Sequence, residues 1–328
     1  MMRTGIDETS ASCEIDARHD PAILWMNRGD ALARSAEAAA WRLAIPAYEN
    51  AIAIWRVLPR DAIASIRLGA ALMNHGGLLH RVYGIARAAD ALHSFAEAED
   101  CLVSASSTGH PWTRRNLAGT LVNRANLLLD LAEHAAGART PGGPDEHAEH
   151  ASKNARRALA IVFPGERTSL IECELALKAR RTLCDALGRL VVAAEAFRQD
   201  AVAGEASDVV DEALALVRHW QARGSHDFRA LTRRFFSFGA QLYQIHQPHH
   251  LAEFVREQLG PGCADADDPV LRRIAMEQVA AALRAIGVQP LQSERPFILG
   301  DLETERRLET RHMLRSVLTE LSREPFKA

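Results

Sequence analysis

The fold is indicated by residues 25–58, WMNRGDALARSAEAAAWRLAIPAYENAIAIWRVL. Within this stretch, Ala44, Tyr48 and Ala51 follow the spacing small-x3-large-x2-small, which places all three on one side of a helix. Two small side chains let the backbone of a neighbouring helix approach closely, and the large one fills the groove between the helices. Upstream, Gly29 supplies a corresponding point of close contact. The stretch therefore predicts two helices packed against each other.

Two prolines set the expected limits of the second helix. Pro46 is expected in its first turn, where the missing N–H costs little. The second helix is therefore predicted to begin only a few residues before Pro46. Pro59 is expected to end the helix pair, because the residue before a proline disfavours the helical conformation.

Weaker copies of the same pattern follow along the chain. Their second helices contain the triplets Ala91/Phe95/Ala98, Ala151/Ala155/Ala158 and Ala206/Val210/Ala213, and their first helices contain Gly69, Ala125, Ala179 and Gly239 at the close-contact position. The fifth second helix, from Leu251 to Leu259, lacks the alanines. Turn-forming segments, SSTGHP (106–111) and GARTPGGPD (137–145), separate predicted helices. The recurring contact pattern predicts a series of helix pairs.

This repeated spacing resembles the tetratricopeptide-repeat (TPR) superfamily across roughly residues 25–260. The copies are farther apart than the family's unit of about 34 residues, so the resemblance is to a divergent form with elongated repeats. It implies an all-α fold, a right-handed superhelix of antiparallel helix pairs (a TPR-like α-solenoid) with C-terminal capping helices. An irregular helical array that has the same spacing by chance is the alternative.

Three regions are expected on this basis. Residues 1–20 form a flexible N-terminal lead-in, residues 21–260 the helical repeat array, and residues 270–328 the C-terminal helices that cap it. The last predicted helix, residues 301–320, carries an apolar stripe at helical spacing, formed by Leu314, Val317, Leu318 and Leu321. Such a stripe covers the end of an array or, alternatively, makes a dimer or partner contact.

Composition is that of an ordinary folded protein and argues against several partners. Of the 328 residues, 48% are hydrophobic and 25% charged, and the formal net charge is -3, so no global positive field attracts nucleic acid or an anionic membrane. No apolar run reaches the roughly 18 residues of a membrane span. The five cysteines are scattered, with no C-x-x-C motif. We therefore expect a cytoplasmic protein with reduced thiols and no membrane partner.

Sequence motifs of catalysis and cofactor binding do not occur in the chain. There is no phosphate loop, dinucleotide fingerprint, G-x-S-x-G or H-E-x-x-H. Gly76 and Gly77 lie inside a helical pattern with no strand before them, which predicts a kink or a loop and not a phosphate cradle. We expect no catalytic residue and no cofactor, although an enzyme site assembled from distant histidine and acidic residues stays an alternative.

Two histidine clusters have a spacing that a metal ion could use. His147 and His150 are three residues apart, as are His246 and His249, and His250 follows directly. No cysteine lies close to either cluster, and Pro248 interrupts the second one, which is expected in a loop between helices. We interpret both clusters as surface histidines and expect no metal site.

Arginine doublets recur along the chain, at 114–115, 156–157, 180–181, 233–234 and 306–307. If their helix faces align, they form a positive stripe that could bind nucleic acid or a nucleotide despite the negative net charge. The alternative is that each doublet pairs with nearby Glu or Asp residues on a solvated helix.

The resemblance to TPR arrays also implies where a ligand binds. In these arrays the first helix of each pair lines a concave groove, and the residues beside the close-contact position point into it. The residues carried over as protein-binding are Asn27, Asp30, Arg67, Asn123, Asn126, Arg180, Tyr243 and Gln244. Asparagine amides can pair with a peptide backbone, and Arg67 and Arg180 could hold a carboxylate. A groove that is empty or filled by the protein's own helix is the alternative.

Together these observations predict a noncatalytic scaffold or adaptor that binds a protein or peptide segment in the concave groove, as a regulatory subunit of a larger complex. A nucleic-acid- or nucleotide-associated subunit that uses the arginine doublets is the second hypothesis. An enzyme whose site is built from the histidines or acidic pairs is the third.

Overall fold

The computed structural model describes residues 20–59, 61–138, 143–194, 196–224, 228–260, 263, 265–266, 268–288 and 302–323. Every regular element within these ranges is a helix, which confirms the predicted all-α class. The lead-in predicted for residues 1–20 lies outside the described residues except for Asp20, the first residue of a helix. The chain divides into two compact units, Met1–Leu127 and Leu128–Ala328.

The α-helices are α1 (Asp20–Ala33), α2 (Ala38–Val57), α3 (Ala62–Tyr83), α4 (Ala88–Ser104), α5 (Pro111–Ala138), α6 (Gly143–Val162), α7 (Leu170–Ala193), α8 (Ala196–Gln221), α9 (Arg229–His246), α10 (Pro248–Leu259), α11 (Pro269–Val288) and α12 (Leu302–Arg323). Short 3-10 helices occupy Gly84–Arg87, Ser106–Thr108 and Phe163–Gly165. No helix among these described segments has the length and apolar character needed to cross a bilayer.

Helices of the first unit pack in the order in which they occur in the chain, α1 on α2, α2 on α3 and α3 on α4. Two glycines within α3 contact different parts of α4. A methyl group at Gly69 would lie 2.6 Å from Cγ of Leu102, and one at Gly76 would lie 2.8 Å from Cε1 of Phe95. The earlier glycine faces the later part of α4, so the two helices are antiparallel, and each glycine makes room for a large side chain.

The small–large–small triplets form the core of these helix pairs. Ala44 and Ala51 are 0% exposed, and Tyr48 between them is 1% exposed. All three residues of the next triplet, Ala91/Phe95/Ala98, are 0% exposed. The ring of Tyr48 lies against Gly29 of α1, where a methyl group would be 3.0 Å from the ring atoms. The spacing recognised in the sequence thus identifies residues that pack between helices.

The predicted position of Pro46 is wrong. Helix α2 begins at Ala38, so Pro46 lies in the helix interior and not in its first turn. Six strong or moderate helix formers, AAAWRL at 38–43, extend the helix towards its N-terminus. Pro46 and Arg42 are both exposed, so the carbonyl that loses its partner lies on the solvent side, where water can replace the N–H. The end of the helix is as predicted, because Leu58 is extended before Pro59.

The loop predicted as one alternative at Gly76 and Gly77 is also wrong. Helix α3 runs through both glycines without interruption from Ala62, where Asp61 caps it by accepting a hydrogen bond from Ala64 N at 2.7 Å, to Tyr83. Tertiary contact explains the result, since the close approach of α4 at Gly76 stabilises a helix that two adjacent glycines would weaken.

The glycine- and proline-rich loop predicted for residues 137–145 is shorter than expected. Helix α5 continues to Ala138 and α6 begins at Gly143, with the acidic residues Asp145 and Glu146 in its first turn. Acidic side chains at a helix N-terminus interact favourably with the helix dipole, which helps to start α6 inside the predicted loop. Residues 139–142 lie outside the described part of the chain.

In the second unit, α6 packs on α7, α7 on α8 and α8 on α9, while α9 contacts both α10 and α11. The last helix, α12, packs against α10 and α11. Three residues of its predicted stripe, Leu314, Val317 and Leu321, are buried, with 0%, 1% and 9% exposure. The stripe is therefore covered by helices of the same unit, and its capping of a repeat array stays a prediction.

Asp268 joins the start of α11 to α9. Its Oδ1 accepts hydrogen bonds from Val270 N at 2.9 Å and Leu271 N at 3.3 Å, and its Oδ2 accepts one from Arg233 Nε at 3.0 Å. Burial alone would raise the pKa of Asp268, but these hydrogen bonds to the charged form outweigh it and lower the pKa below the ordinary value.

The adjacent glycines of α3 offer a matched test of the helix contact. Gly76→Ala should lower the free energy of unfolding by about 1–3 kcal/mol, because the new methyl group overlaps Phe95 and the carbonyl oxygen of Ala91. Gly77→Ala should be neutral or raise it by about 0.5–1 kcal/mol, because its methyl group would lie 3.6 Å from Asn123 Nδ2. Urea denaturation measures both. Equal effects would contradict the packing of α3 on α4.

The lowered pKa of Asp268 predicts a pH-dependent stability. Its ionised form is favoured in the folded chain, so its contribution is present above the unfolded pKa and is lost as the pH falls through the folded pKa. Asp268→Asn retains a capping side chain but loses the charge, and should cost about 1 kcal/mol at pH 7. Urea denaturation of both proteins from pH 7 down to pH 3 should show the difference shrinking. A difference that stays constant with pH would contradict the assignment.

Candidate functional site

The predicted groove residues are distributed over both units. Those in the first unit are Asn27, Asp30, Arg67, Asn123 and Asn126, and those in the second are Arg180, Tyr243 and Gln244. Within the first unit, Asp30 and Asn123 line one pocket. The strongest candidate site is built around these two side chains.

This first-unit pocket has a volume of about 400 Å³. It is lined by Asp30, Ala33, Arg34, Tyr48, Met73, Asn74, Gly77, Leu78, Arg81 and Asn123. The residues from α3 recur at three- and four-residue intervals and therefore share one helix face. Alternate helices of the unit, α1, α3 and α5, supply most of the lining, and α2 adds one tyrosine.

Asp30 is held in place by two neighbours. The hydroxyl of Tyr48 donates a hydrogen bond to Asp30 Oδ1, and Asn74 Nδ2 donates to the same oxygen at 3.3 Å. Asn74 Nδ2 also lies 3.4 Å from the Tyr48 hydroxyl. Burial, and then the hydrogen bond to Asp30, raises the pKa of Tyr48, so the phenol stays a donor at neutral pH. Oδ2 of Asp30 has no hydrogen bond to any residue that the structure describes.

Two guanidinium groups line the same pocket. Arg81 lies with its Cζ 3.5 Å from the centre of the Trp41 ring, and Trp41 Nε1 donates a hydrogen bond to Ser35 O at 2.8 Å. The indole is therefore fixed, and it fixes Arg81 in turn. Arg34 follows α1, close enough for its charge to act on Tyr48. Neither guanidinium forms an ion pair with a carboxylate of the described segments.

Asn123 contributes the far side of the pocket. It lies on α5 next to Gly77, where an added methyl group would be 3.6 Å from Asn123 Nδ2, an ordinary contact distance. This amide makes no hydrogen bond within the described part of the chain. Because Asn74 bonds to α1 and Gly77 borders α5, helix α3 lies between α1 and α5 at this point.

The other predicted groove residues of the first unit lie elsewhere. Asn27 is exposed on α1, while Arg67 on α3 and Asn126 on α5 are half-buried. None of these three lines the first-unit pocket. Their predicted binding role stays a prediction.

Arg180 is a buried structural residue in the second unit. Its Nη1 lies 2.6 Å from Glu166 Oε2, and its Nη2 lies 3.2 Å from Glu212 Oε2. Trp220 Nε1 donates to the backbone carbonyl of Glu166 at 2.9 Å, which holds that residue against the same helices. A ligand carboxylate would have to displace one of these partners, so Arg180 is not poised to bind one.

Tyr243 and Gln244 have different surroundings. Tyr243 is buried, with its ring centre 4.9 Å from that of Phe254, and its hydroxyl donates to Asp211 Oδ2 at 3.4 Å. Burial and then the charge of Asp211 raise the pKa of Tyr243 to about 12. Gln244 lines a second-unit pocket of about 1100 Å³ formed by α9 to α12, to which His249 and His250 also contribute.

The histidines of this second-unit pocket pack against each other. The rings of His249 and His250 are 4.1 Å apart, and His250 Nδ1 lies 3.8 Å from Glu253 Oε2. Both lie in the first turn of α10, which begins at Pro248, so the predicted loop between the helices is reduced to Gln247. Across the described ranges, no three or more His, Cys, Asp or Glu side chains are grouped so that they could hold a metal ion.

Several members of the arginine doublets are paired with carboxylates. The pairs are Arg156–Glu205 at 2.7 Å, Arg181–Asp185 at 3.9 Å, Arg233–Asp268 at 3.0 Å and Arg234–Asp185 at 3.1 Å, besides Arg180 with its two partners. This pattern favours the alternative in which the doublets belong to solvated ion pairs. A pair of this kind leaves less positive charge for phosphate groups than an unpaired arginine does.

Comparison with known proteins adds no relative from which a site could be transferred. No protein-family model matches the sequence, and no curated protein matches it. The candidate site therefore rests on the geometry of this chain, and the TPR-like relationship stays a prediction.

Sequence reasoning missed three polar residues of the first-unit pocket: Arg34, Asn74 and Arg81. It placed the groove residue of α3 at Arg67, whereas Asn74, which meets α1, lies about two turns later on the same helix. Helix α3 is 22 residues long, so its glycine pair at 76–77 marks a second region of close approach. That pair was the available signal, but it was interpreted only as a kink or loop.

The doublet Arg180–Arg181 provides a matched test of burial. Arg180→Met should lower the free energy of unfolding by about 3–5 kcal/mol, because Glu166 would be left as an unpaired buried charge. Arg181→Met, at an exposed position, should stay within about 0.5 kcal/mol of the original protein. Adding Glu166→Gln to Arg180→Met should recover part of the loss in urea denaturation. Similar losses from both single variants would contradict a structural role specific to Arg180.

Proposed function

We propose that the chain is a noncatalytic scaffold or adaptor that binds a protein or peptide segment, and acts as a regulatory subunit of a larger complex. The binding site is the first-unit pocket. The observation that carries this proposal is a set of polar groups around that pocket that have no hydrogen-bond or ion-pair partner among the described residues: Asp30 Oδ2, the amide of Asn123, and the guanidinium groups of Arg34 and Arg81.

A TPR-like α-solenoid, a right-handed superhelix of helix pairs, is the architecture that we propose for this function. Three features support it: helices that pack in chain order, buried small–large–small triplets, and glycines where paired helices approach most closely. In such an array α1, α3 and α5 are the first helices of successive pairs, and their shared face is the concave one. The first-unit pocket lies on these helices.

A peptide suits the chemistry of this pocket. A peptide backbone presents N–H donors and C=O acceptors at regular intervals, and an asparagine amide can bond both kinds of group. Asn123 supplies such an amide, Asp30 supplies an acceptor, and the arginines supply donors. Tyr48 stays protonated and serves to fix Asp30, which is a binding arrangement and not one for proton transfer.

The paired doublets make a nucleic-acid partner the weaker hypothesis. The arginines on which it depends, such as Arg156 and Arg233, form ion pairs with carboxylates, whereas the guanidinium groups of the first-unit pocket form none with the described residues. The observations therefore favour a peptide ligand in the first unit.

Blocking the pocket tests this function. A random library of N-acetylated, C-amidated octapeptides is panned against the purified chain, and enriched sequences are expected. Gly77→Phe fills the pocket from a helix face that has room for a side chain, and should abolish the enrichment. Gly204→Phe is the matched control, because Gly204 also lies in a helix with open space around it. This variant should retain the peptide enrichment. Melting temperatures verify that both variants fold.

Two results would count against this function. One is a library without enriched peptides. The other is enrichment that persists in the Gly77→Phe variant. Fluorescence anisotropy with a short RNA and a short DNA completes the test. Nucleic-acid binding that weakens steeply with salt and is unchanged in the Gly77→Phe variant would favour the arginine doublets as the binding site instead.

A further inference from the structure

The guanidinium group of Arg81 is held in place by an aromatic ring but forms no ion pair with a described carboxylate. Stacking on Trp41 uses the flat face of its guanidinium group, whereas all five N–H donors lie in the plane of that group and point to its edges. No carboxylate of the described residues takes up these donors. By contrast, Arg56 and Arg124 of the same unit are bound to Glu97 at 3.0 Å and Glu99 at 3.1 Å. Arg81 is thus an ordered cation with open donors.

The charges that line the first-unit pocket do not cancel. Arg34 and Arg81 contribute two positive charges and Asp30 one negative charge. Asp30 is turned towards Tyr48 and Asn74 by the hydrogen bonds to its Oδ1, and forms no ion pair with either arginine. A ligand with one negative charge would balance the pocket. A phosphate dianion would leave an excess negative charge facing Asp30, so a carboxylate fits better.

The positions of Asp30 and Asn123 on opposite sides of α3 indicate the path of a bound peptide across the pocket. Asp30 and Asn74 lie on the α1 side of α3, and Asn123 lies on the α5 side. Each side offers a group suited to a peptide backbone: the open Oδ2 of Asp30 accepts from an N–H, and the Asn123 amide can both donate and accept. A segment that uses both sides passes over α3 near Gly77, one turn before Arg81, whose guanidinium group reaches Trp41 of α2 at another part of the pocket. The carboxylate at Arg81 then belongs to a side chain in the middle of the segment and not to a chain end.

From these three observations we infer that the first-unit pocket selects an acidic peptide segment, in which one internal Glu or Asp side chain binds Arg81 and Arg34 while the flanking backbone bonds to Asp30 and Asn123. Tyr48 and Asn74 act as positioning residues, since they orient Asp30. This inference rests on the proposed function, because it specifies the ligand of the same site.

Charge reversal provides the direct test. A fluorescein-labelled, C-amidated peptide from the enriched set is compared with versions in which each acidic residue is changed to its amide. One such change should weaken binding about tenfold or more, because it removes a charge-assisted hydrogen bond. In the Arg81→Met variant the same change should have little further effect. Arg81→Glu should restore binding to a peptide that carries Lys at that position.

The matched control is Arg28→Met. Arg28 also lies over an indole, 5.3 Å from the centre of Trp25, but does not line the pocket. Its replacement should leave the affinity for the acidic peptide unchanged. Equal losses from Arg28→Met and Arg81→Met would overturn the assignment of Arg81 as the anion site.

Three further results would overturn the inference while the proposed function stands. The first is enrichment, sensitive to Gly77→Phe, of peptides without acidic residues. The second is a peptide with a free C-terminal carboxylate that binds regardless of its side chains, which would show that a chain end occupies the site. The third is tighter binding when phosphoserine replaces the acidic residue. Failure of the proposed function is a separate result, namely an absence of peptide binding that depends on the pocket.

Discussion

Close approach of paired helices at glycine is the constraint on which the described fold of the first unit depends. At Gly76 the space of an absent side chain is filled by Phe95, and at Gly29 it is filled by Tyr48. Burial of these large side chains stabilises the helix contacts, and the glycines leave the space that the side chains fill. The same contact places the Tyr48 hydroxyl beside Asp30. A packing residue thereby becomes part of a polar site.

Arg180 and Arg81 differ in burial and in ion pairing, and this difference separates a structural role from a binding role. Arg180 is enclosed and bound to Glu166 and Glu212, so its positive charge is compensated within the second unit. Arg81 is exposed, ordered by an indole, and uncompensated among the described residues. An ordered but unpaired guanidinium loses little conformational entropy when it binds an anion. The physical basis for a binding role is therefore stronger for Arg81, although Arg180 is the one that the repeat pattern pointed to.

Two charged groups of the first-unit pocket, Asp30 and Arg81, are held in place by neighbouring side chains. Asp30 is held by hydrogen bonds from α2 and α3, and Arg81 is held by Trp41, whose N–H is itself bonded to Ser35. Groups that are held in this way bind a ligand with a smaller entropic cost than mobile surface side chains do. This order, together with polar groups that have no partner in the part of the chain that the structure describes, is the basis on which we propose a noncatalytic recognition role.

The sequence by itself determined the all-α class, the packing of α1 on α2 and of α3 on α4, and the buried triplets, because all of these depend on local periodicity and on small residues at fixed spacing. Of the first-unit pocket it identified Asp30 and Asn123. Only the tertiary structure decided that Asn74 meets Asp30, 44 residues away, and that Arg180 is buried while Arg81 is open. Such contacts depend on the length and register of whole helices. A shift of one turn changes every partner, and no local pattern specifies it.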